Sequence, residues 1–311
     1  AVELTVVAET AQAYFQWQGQ SIRVGLLKQN LAAQKASVEI LEKALAAGRG
    51  TALDVASARA QERQLAATLP AAIASTTAAL QRLAVLTGQL PRELESQLTT
   101  PEAFPGLPRY IAAGDPAEWL ARRPDVASAE RRLAEINALI GFRKADLYPK
   151  LTLIGSFGWT GASSSIVGDA AGERWGTAPA LSWRFLDVGR VLREVKEAEA
   201  QTAGALANYE GTWRRALEET ENAMTNYRAT GETVLALREA VAEAKVAVDL
   251  STLRYQNGAD SFFVVLDAER AYLDFQDRYA LAEIDQATAL AALYKALGGD
   301  FAPNGAESSR Q

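Results

Sequence analysis

The chain has 311 residues and a formal charge of -6, and it contains neither histidine nor cysteine. The commonest soft-metal ligands, the thiol nucleophile and the side chain that titrates near neutrality are therefore missing, so no enzyme, metal site or cofactor is expected. The acidic balance and the lack of a basic block argue against nucleic-acid binding.

In chain order, the first 87 residues read as a helical hairpin. The chain opens at Ala1 inside an amphipathic stretch, with no leader to read and no apolar run long enough for a transmembrane helix. Val24, Leu27, Leu31, Gln34, Val38, Leu41 and Leu45 step by three and four, a coiled-coil seam that predicts a helix from near the start to about Ala47. After the turn AGRGT a second helix is expected from about Leu53 to Thr87, interrupted at Pro70. Residues 88–116 carry half of the ten prolines and read as an irregular connector lying across the helices.

Over 117–149 two helical runs are expected. Asp115 and Pro116 cap the first, through Trp119 and Leu120, and Pro124 and Asp125 open the second, which stops before Pro149. Within 150–187 the odd positions Leu151, Leu153, Phe157 and Trp159 are apolar, as are Trp175, Pro179, Leu181, Trp183 and Phe185 after a Gly/Ser-rich loop. Two strands with one apolar side and tryptophans near their ends fit a transmembrane β-hairpin. They fit a soluble hairpin packed on helices equally well.

From about Gly189 to Tyr255 no proline intervenes, and a continuous helix of that span would be roughly 100 Å long. It opens a second hairpin, 188–298, which repeats the first: moving Ala13–Gly88 forward by 210 positions lays it on Ala223–Gly298 without a gap. Gly48 then meets Gly258, Thr51 meets Ser261, Val55 meets Val265 and Leu83 meets Leu293. Such self-similarity marks a duplicated supersecondary unit whose copies stack. Residues 299–311 read as a flexible tail.

Three segments carry a resemblance: RRPDVASAERRLAEINALIGFRKADLYPKLTLIGSFGW at 122–159, LSWRFLDVGR at 181–190 and RYQNGADSFFVVLDAER at 254–270. In this order, on a helical repeat, they resemble the TolC-like outer-membrane efflux channels that serve resistance-nodulation-division pumps. The resemblance implies a mainly α fold of long coiled-coil hairpins plus a β-hairpin, in a homotrimer whose strands close one barrel in outer-membrane lipid. Its helices would form a tunnel through the periplasm of a Gram-negative cell. The implied function is passive export of drugs or other small molecules, with a periplasmic adaptor and an inner-membrane efflux transporter as partners. Members contribute two β-hairpins per chain and this sequence shows one. Three copies would give six strands, fewer than the eight of a barrel filled by its own side chains. A first hairpin, a signal peptide and any lipid-bearing cysteine are accordingly expected upstream. A periplasmic coiled-coil adaptor or scaffold is the alternative, since it accounts for the helices but needs no strand pair.

The resemblance also nominates residues. The periplasmic gate would join Tyr255 to Asp54. Asp267 would supply a ring of charge, with Val264 where a second carboxylate can occur and Asp260 where the family can carry an arginine. Asp54 and Asp267 are explained equally well as first-turn acids that suit a helix dipole. The adaptor-docking turns are Gly48 and Thr51 in the first repeat and Gly258, Ala259, Asp260 and Ser261 in the second. Trp159, Trp175 and Trp183 would mark membrane interfaces. Arg123, Pro124 and Asp125 form the most recognisable signature and are read as structural.

Overall fold

The structure is a computed structural model that describes residues 2–48, 50–98, 104, 106–108, 111, 114–161, 167–168, 170 and 172–299. It divides into two compact units: residues 1–124 with 216–311, and residues 125–215.

The larger unit is built on the repeat. Helix α1 (Val2–Ala46) turns back into α2 (Ala52–Thr87), and the later part of α6 (Val188–Gln256) turns back into α7 (Phe262–Ala296). Helix α1 packs against both α2 and α7. Helix α6 meets α7 where Lys245 lies over the Tyr272 ring at 5.9 Å and Tyr255 meets Phe262 edge-on at 5.1 Å. Helix α2 touches α7 directly as well, so α1, α2 and α7 meet as a group of three. Of the seam read in α1, Leu27, Gln34, Val38 and Leu41 are buried, Val24 and Leu31 are half-buried, and Leu45 near the turn is exposed. Close approach is enforced at Gly19, where an added Cβ would stand 2.2 Å from Ile284 Cγ1 of α7.

Among the described residues two apolar clusters stand out. One joins Ala13 and Trp17 of α1 to Ala79, Leu80, Leu83 and Ala84 of α2 and Leu94. The other sits at the turn end and joins Val38 and Leu41, Val55 and Ala58, and Phe262, Val265 and Leu266, with Tyr255 packed against it. Burying each Val, Leu or Phe side chain contributes about 1.5–3 kcal/mol, so the first cluster holds the first hairpin together and the second holds the two repeats to each other.

Several expectations need correction. Helix α2 runs through Pro70 without interruption. A proline deletes one ladder bond, and here the rest of a 36-residue helix packed along α1 persists around that loss. The same helix contains a window of mean hydropathy 1.3, long and apolar enough to cross a membrane by composition. Its apolarity comes mainly from alanine, small enough to be overlooked as a hydrophobic run. The connector is not wholly irregular, because Pro91 at the first helical position starts α3 (Pro91–Gln97). It does lie against the helices: Phe104 stacks near Phe15 at 6.3 Å and Tyr227 Oη donates to the Pro108 carbonyl at 2.5 Å. Beyond Gly299 the expected tail lies outside the described residues.

Helix α4 (Pro116–Arg122) is capped by Asp115, whose carboxylate accepts from Ala117 N at 2.9 Å. Arg123 is extended, as the residue before a proline prefers, and Pro124 starts α5 (Pro124–Ala145). Only 7% exposed, Arg123 donates to the Ala296 carbonyl at 2.8 Å and to Glu219 Oε2 at 2.5 Å. Thr220, fully buried, donates to the same carbonyl at 3.1 Å. The arginine thus ties the end of α7 to α6.

In the smaller unit, β1 (Lys150–Trp159) pairs antiparallel with β2 (Glu173–Ser182). The second strand starts and ends earlier than its apolar alternation suggests. Trp183 falls just beyond it and Phe185 opens a 3-10 turn, Phe185–Asp187. Register places Leu151 opposite Leu181, Leu153 opposite Pro179 and Phe157 opposite Trp175, so the two apolar stripes share one face. On the other face Thr152 meets Ala180, Ile154 meets Ala178 and Ser156 meets Gly176. Nearly every residue on both faces is exposed.

At the hairpin root Asp146 accepts from Lys150 and from Arg184 Nη1 at 3.3 Å, and Arg184 donates to both oxygens of Glu194 at 3.1 and 3.2 Å. The bond from Lys150, followed by the charge of Arg184, holds the Asp146 carboxyl below its ordinary value.

The Arg123 clamp predicts that Arg123→Met removes two charge-assisted bonds worth about 1.5–3 kcal/mol each. Heat unfolding of the full-length protein in detergent, followed by helical circular dichroism, should show a midpoint lowered by several degrees. Arg132→Met, which loses only an exposed pair with Glu135, should stay within about 0.5 kcal/mol of wild type.

Candidate functional site

The nominated gate and docking residues gather at one end of the larger unit, where both repeats turn. Gly258 adopts φ +71°, a left-handed conformation that side chains resist. It closes α6 with a pair of bonds: Gly258 N donates to the Tyr255 carbonyl and Ala259 N to the Arg254 carbonyl, each at 2.9 Å. Gly48 has the same φ of +71° and donates to the Leu45 carbonyl at 3.0 Å. Gly48, Thr51, Gly258, Ala259 and Ser261 are exposed, and Asp260 is half-buried.

The return into α2 is a reciprocal cap. Asp54 N donates to Thr51 Oγ1 at 3.2 Å, while Thr51 N and Thr51 Oγ1 donate to Asp54 Oδ2 at 3.1 and 2.6 Å. Asp54 thus has a structural task. The T-x-x-D spacing at 51–54 was a legible signal for it. Ser261, its repeat partner, occupies the same position before α7 and makes no such bond.

Tyr255 sits across from this cap, half-buried, with its ring against Phe262 and the turn-end cluster that also contains Val55. The fold brings Tyr255 and the α2 start into one neighbourhood. Among the described residues no hydrogen bond joins the Tyr255 hydroxyl to Asp54. Asp54 Oδ2 takes both Thr51 donors, and Oδ1 stays available as an acceptor.

Asp260, at the possible arginine position, is paired within its own turn. Arg254 Nε donates to Oδ2 at 2.5 Å and Arg254 Nη2 to Oδ1 at 3.1 Å. This forked contact lowers the Asp260 carboxyl and raises the Arg254 guanidinium. Sequence reasoning missed Arg254, because its partner lies across a turn whose geometry decides the pairing. Asp267 is exposed on α7, 4.0 Å from Arg270, and lines a groove with Asn30 of α1, Gln61 of α2, and Asp274 and Asp277. Val264 is exposed beside it.

The three tryptophans mark the two ends of the strand pair. Trp159 and Trp175 lie near the loop end, Trp159 stacking edge-on with Phe157 at 5.0 Å. Trp183 lies at the root and donates from Nε1 to the Leu147 carbonyl at 3.0 Å. All three remain exposed, at 39%, 74% and 54% in that order.

A family model described as Outer membrane efflux protein matches residues 1–89 and 116–299. Outer membrane protein OprJ of Pseudomonas aeruginosa is 32% identical over 307 residues, covering 97% of this chain and 63% of its own length. Toluene efflux pump outer membrane protein TtgI of Pseudomonas putida is 30% identical over 306 residues, covering 97% of this chain and 64% of its own length. Among solved structures, the outer-membrane channel OprN superposes with a TM-score of 0.83 at 36% identity, over 96% of this chain and 67% of its own. The chain therefore spans a little under two thirds of the length of the curated relatives it matches. The family match runs through both helical repeats and the strand pair and passes over the proline-rich connector, and on that ground the chain belongs to the outer membrane efflux protein family.

Proposed function

We propose that this chain is the duct subunit of a tripartite efflux pump, a passive homotrimer in the outer membrane of a Gram-negative cell that exports small molecules through a periplasmic helical tunnel. The observation that carries this reading is the strand pair: all its large aliphatic and aromatic side chains except Ile154 share one face, and they stay exposed. A soluble hairpin would cover such a face, whereas lipid is a solvent for it. Relatives named as efflux-pump outer membrane proteins support the same role. A periplasmic adaptor and an inner-membrane transporter are the expected partners.

In this reading the two turns of each chain form the periplasmic rim. The tip cluster holds the two repeats together there, and separating them opens the entrance. Tyr255 donates to the free Oδ1 of Asp54 in the closed state, Asp267 contributes charge at the constriction, and the exposed turns receive the adaptor.

If lipid meets the apolar face, Leu153→Arg or Leu181→Arg should destabilise the assembled protein by about 2–4 kcal/mol near the bilayer midplane. A spin label at either position should show the collision profile of lipid, and a water-like profile at both would overturn the assignment.

The gate is tested by single-channel conductance of the full-length protein in a planar bilayer. A hydrogen bond to a charged group contributes about 1.5–3 kcal/mol, so three copies acting together supply roughly 5 kcal/mol, enough to invert a closed-to-open ratio. Tyr255→Phe should raise conductance. Thr51→Ala, which loses the helix cap but keeps both gate groups, should not.

Docking at the turns predicts that Cys at position 259 cross-links to the adaptor in active cells. Bulky residues at Gly48 or Gly258 should abolish efflux while trimer remains in the membrane. Cross-linking only from a Cys on a mid-helix surface would show lateral docking instead.

A further inference from the structure

A charge-free band separates the two ends of the strand pair. Residues 151–159 and 175–181 carry no ionisable side chain, and tilted strands of about this length cross the hydrocarbon of a bilayer. The two ends differ. Beyond the loop end, residues 160–174 hold two acids and one cation. At the root, residues 141–150 and 182–198 hold seven cations and four acids, in a chain whose formal charge is -6. An excess of positive charge therefore collects at one edge of the apolar face.

The acids of the root are all engaged. Asp146 accepts from Lys150 and Arg184, and Glu194 accepts twice from Arg184 and lies 3.9 Å from Arg143 Nη1. Asp187 lies 3.8 Å from Arg184 and 3.9 Å from Arg190, while Glu197 accepts from Gln201 Nε2 at 3.3 Å. What remains is positive. Lys144, Arg193 and Lys196 are exposed, and none of them is ion-paired among the described residues. They surround one junction. The Arg143 and Glu194 contact brings the end of α5 beside the start of α6, and Lys144 and Arg193 are the chain neighbours of that pair. Lys196 follows Arg193 by one turn on the same side of α6.

Large apolar side chains lie uncovered at the same level. Tyr148, Trp183, Phe185 and Leu186 are all more than half exposed. Trp183 stacks on Phe185 with ring centroids 5.4 Å apart, and its indole N–H is taken by the Leu147 carbonyl, so the pair offers apolar surface and no unmet donor. Aromatic rings beside cations at the margin of an apolar band compose a membrane–water interface. An acidic protein surface would match the charge but gives no account of the continuity with the apolar strand face. Phospholipid matches both, with acyl chains along the band and a phosphate one level below. A zwitterionic headgroup brings its own ammonium and leaves the excess unbalanced. An anionic one neutralises it.

Resting on the lipid-facing reading of the strand pair, we propose that Lys144, Arg193 and Lys196 form a headgroup site for anionic phospholipid at the hairpin root, in the leaflet that faces the periplasm. The balanced network of Asp146, Lys150, Arg184 and Glu194 holds the elements that carry the site, and the three unmatched cations bind. Each basic side chain close to an anionic surface raises binding roughly fivefold.

The test counts lipid on the full-length protein by native mass spectrometry after exchange into equal mixtures of phosphatidylglycerol and phosphatidylcholine. Wild type should retain phosphatidylglycerol selectively, and less so as salt rises. The variant combining Lys144→Gln, Arg193→Gln and Lys196→Gln should lose the selectivity, by roughly fivefold for each cation removed. The same spectrum reports assembly, and Arg193→Gln alone gives the readout should the triple variant misassemble. Lys28→Gln, at an exposed lysine of α1, should behave as wild type. Equal selectivity in wild type and the cation variants overturns the site. Displacement of the lipid by inorganic phosphate at matched concentration also overturns it, in favour of a small-anion site. Planar-bilayer conductance keeps the two readings apart: a conducting channel without lipid selectivity refutes the site alone, whereas selective retention without conductance refutes the duct and leaves the site standing.

Discussion

The helical unit depends on one constraint, that α1 must lie close to two neighbours at once. Its buried stripe of Ala13, Trp17, Leu27, Gln34, Val38 and Leu41 serves both α2 and α7. That is possible because the facing surfaces are rich in small residues. Ala58 of α2 and Ala287 of α7 are completely buried, and Gly19 admits Ile284 where any side chain would collide. An alanine-faced wall gains less from each buried side chain than a leucine core. It compensates with many van der Waals contacts at short spacing and with caps at each reversal.

The distribution of polar groups follows from the same geometry. Charges are paired where the chain changes direction: Thr51 with Asp54 at one turn, Arg254 with Asp260 at the other, Asp146 with Lys150 and Arg184 at the root of the strands, and Arg123 with Glu219 at the end of α7. Each site has carbonyls or amides without a helical partner, or a strand replacing a helix, so local pairing has the most to contribute there. Between these points the helices carry exposed ion pairs of small individual worth, such as Arg59 with Glu42.

Much of this was legible in the sequence. Long helices announce themselves through periodicity and the absence of breakers. Gly48 and Gly258 mark ends because few other residues tolerate their backbone angles, and the repeat of Gly48 at Gly258 indicated a shared architecture before any coordinates. The strand pair was visible from alternation, yet its bounds were not. Trp183 and Phe185 continue the apolar rhythm but leave the ladder, because the Trp183 indole bonds to Leu147 at the end of α5. Proline misled in α2 and hid α3, whose Pro91 lies in a stretch read as irregular, whereas Pro116 and Pro124 marked the starts of α4 and α5. The details at the tip were least legible. Whether Asp54 caps, gates or does both depends on which oxygen points where, and Asp260 finds Arg254 only through the shape of the turn.

The strand ladder has a consequence for how the molecule comes into being. In a two-stranded sheet both strands are edges, so each leaves half of its backbone donors and acceptors facing outward. Water satisfies them, but hydrocarbon cannot, and every unpaired group carried into lipid costs several kcal/mol. In the duct reading this strand pair alone is barred from the bilayer by its own backbone, however greasy its outer face. Its entry into the membrane and its pairing with further strands would then be one event, complete when the last edge meets the first.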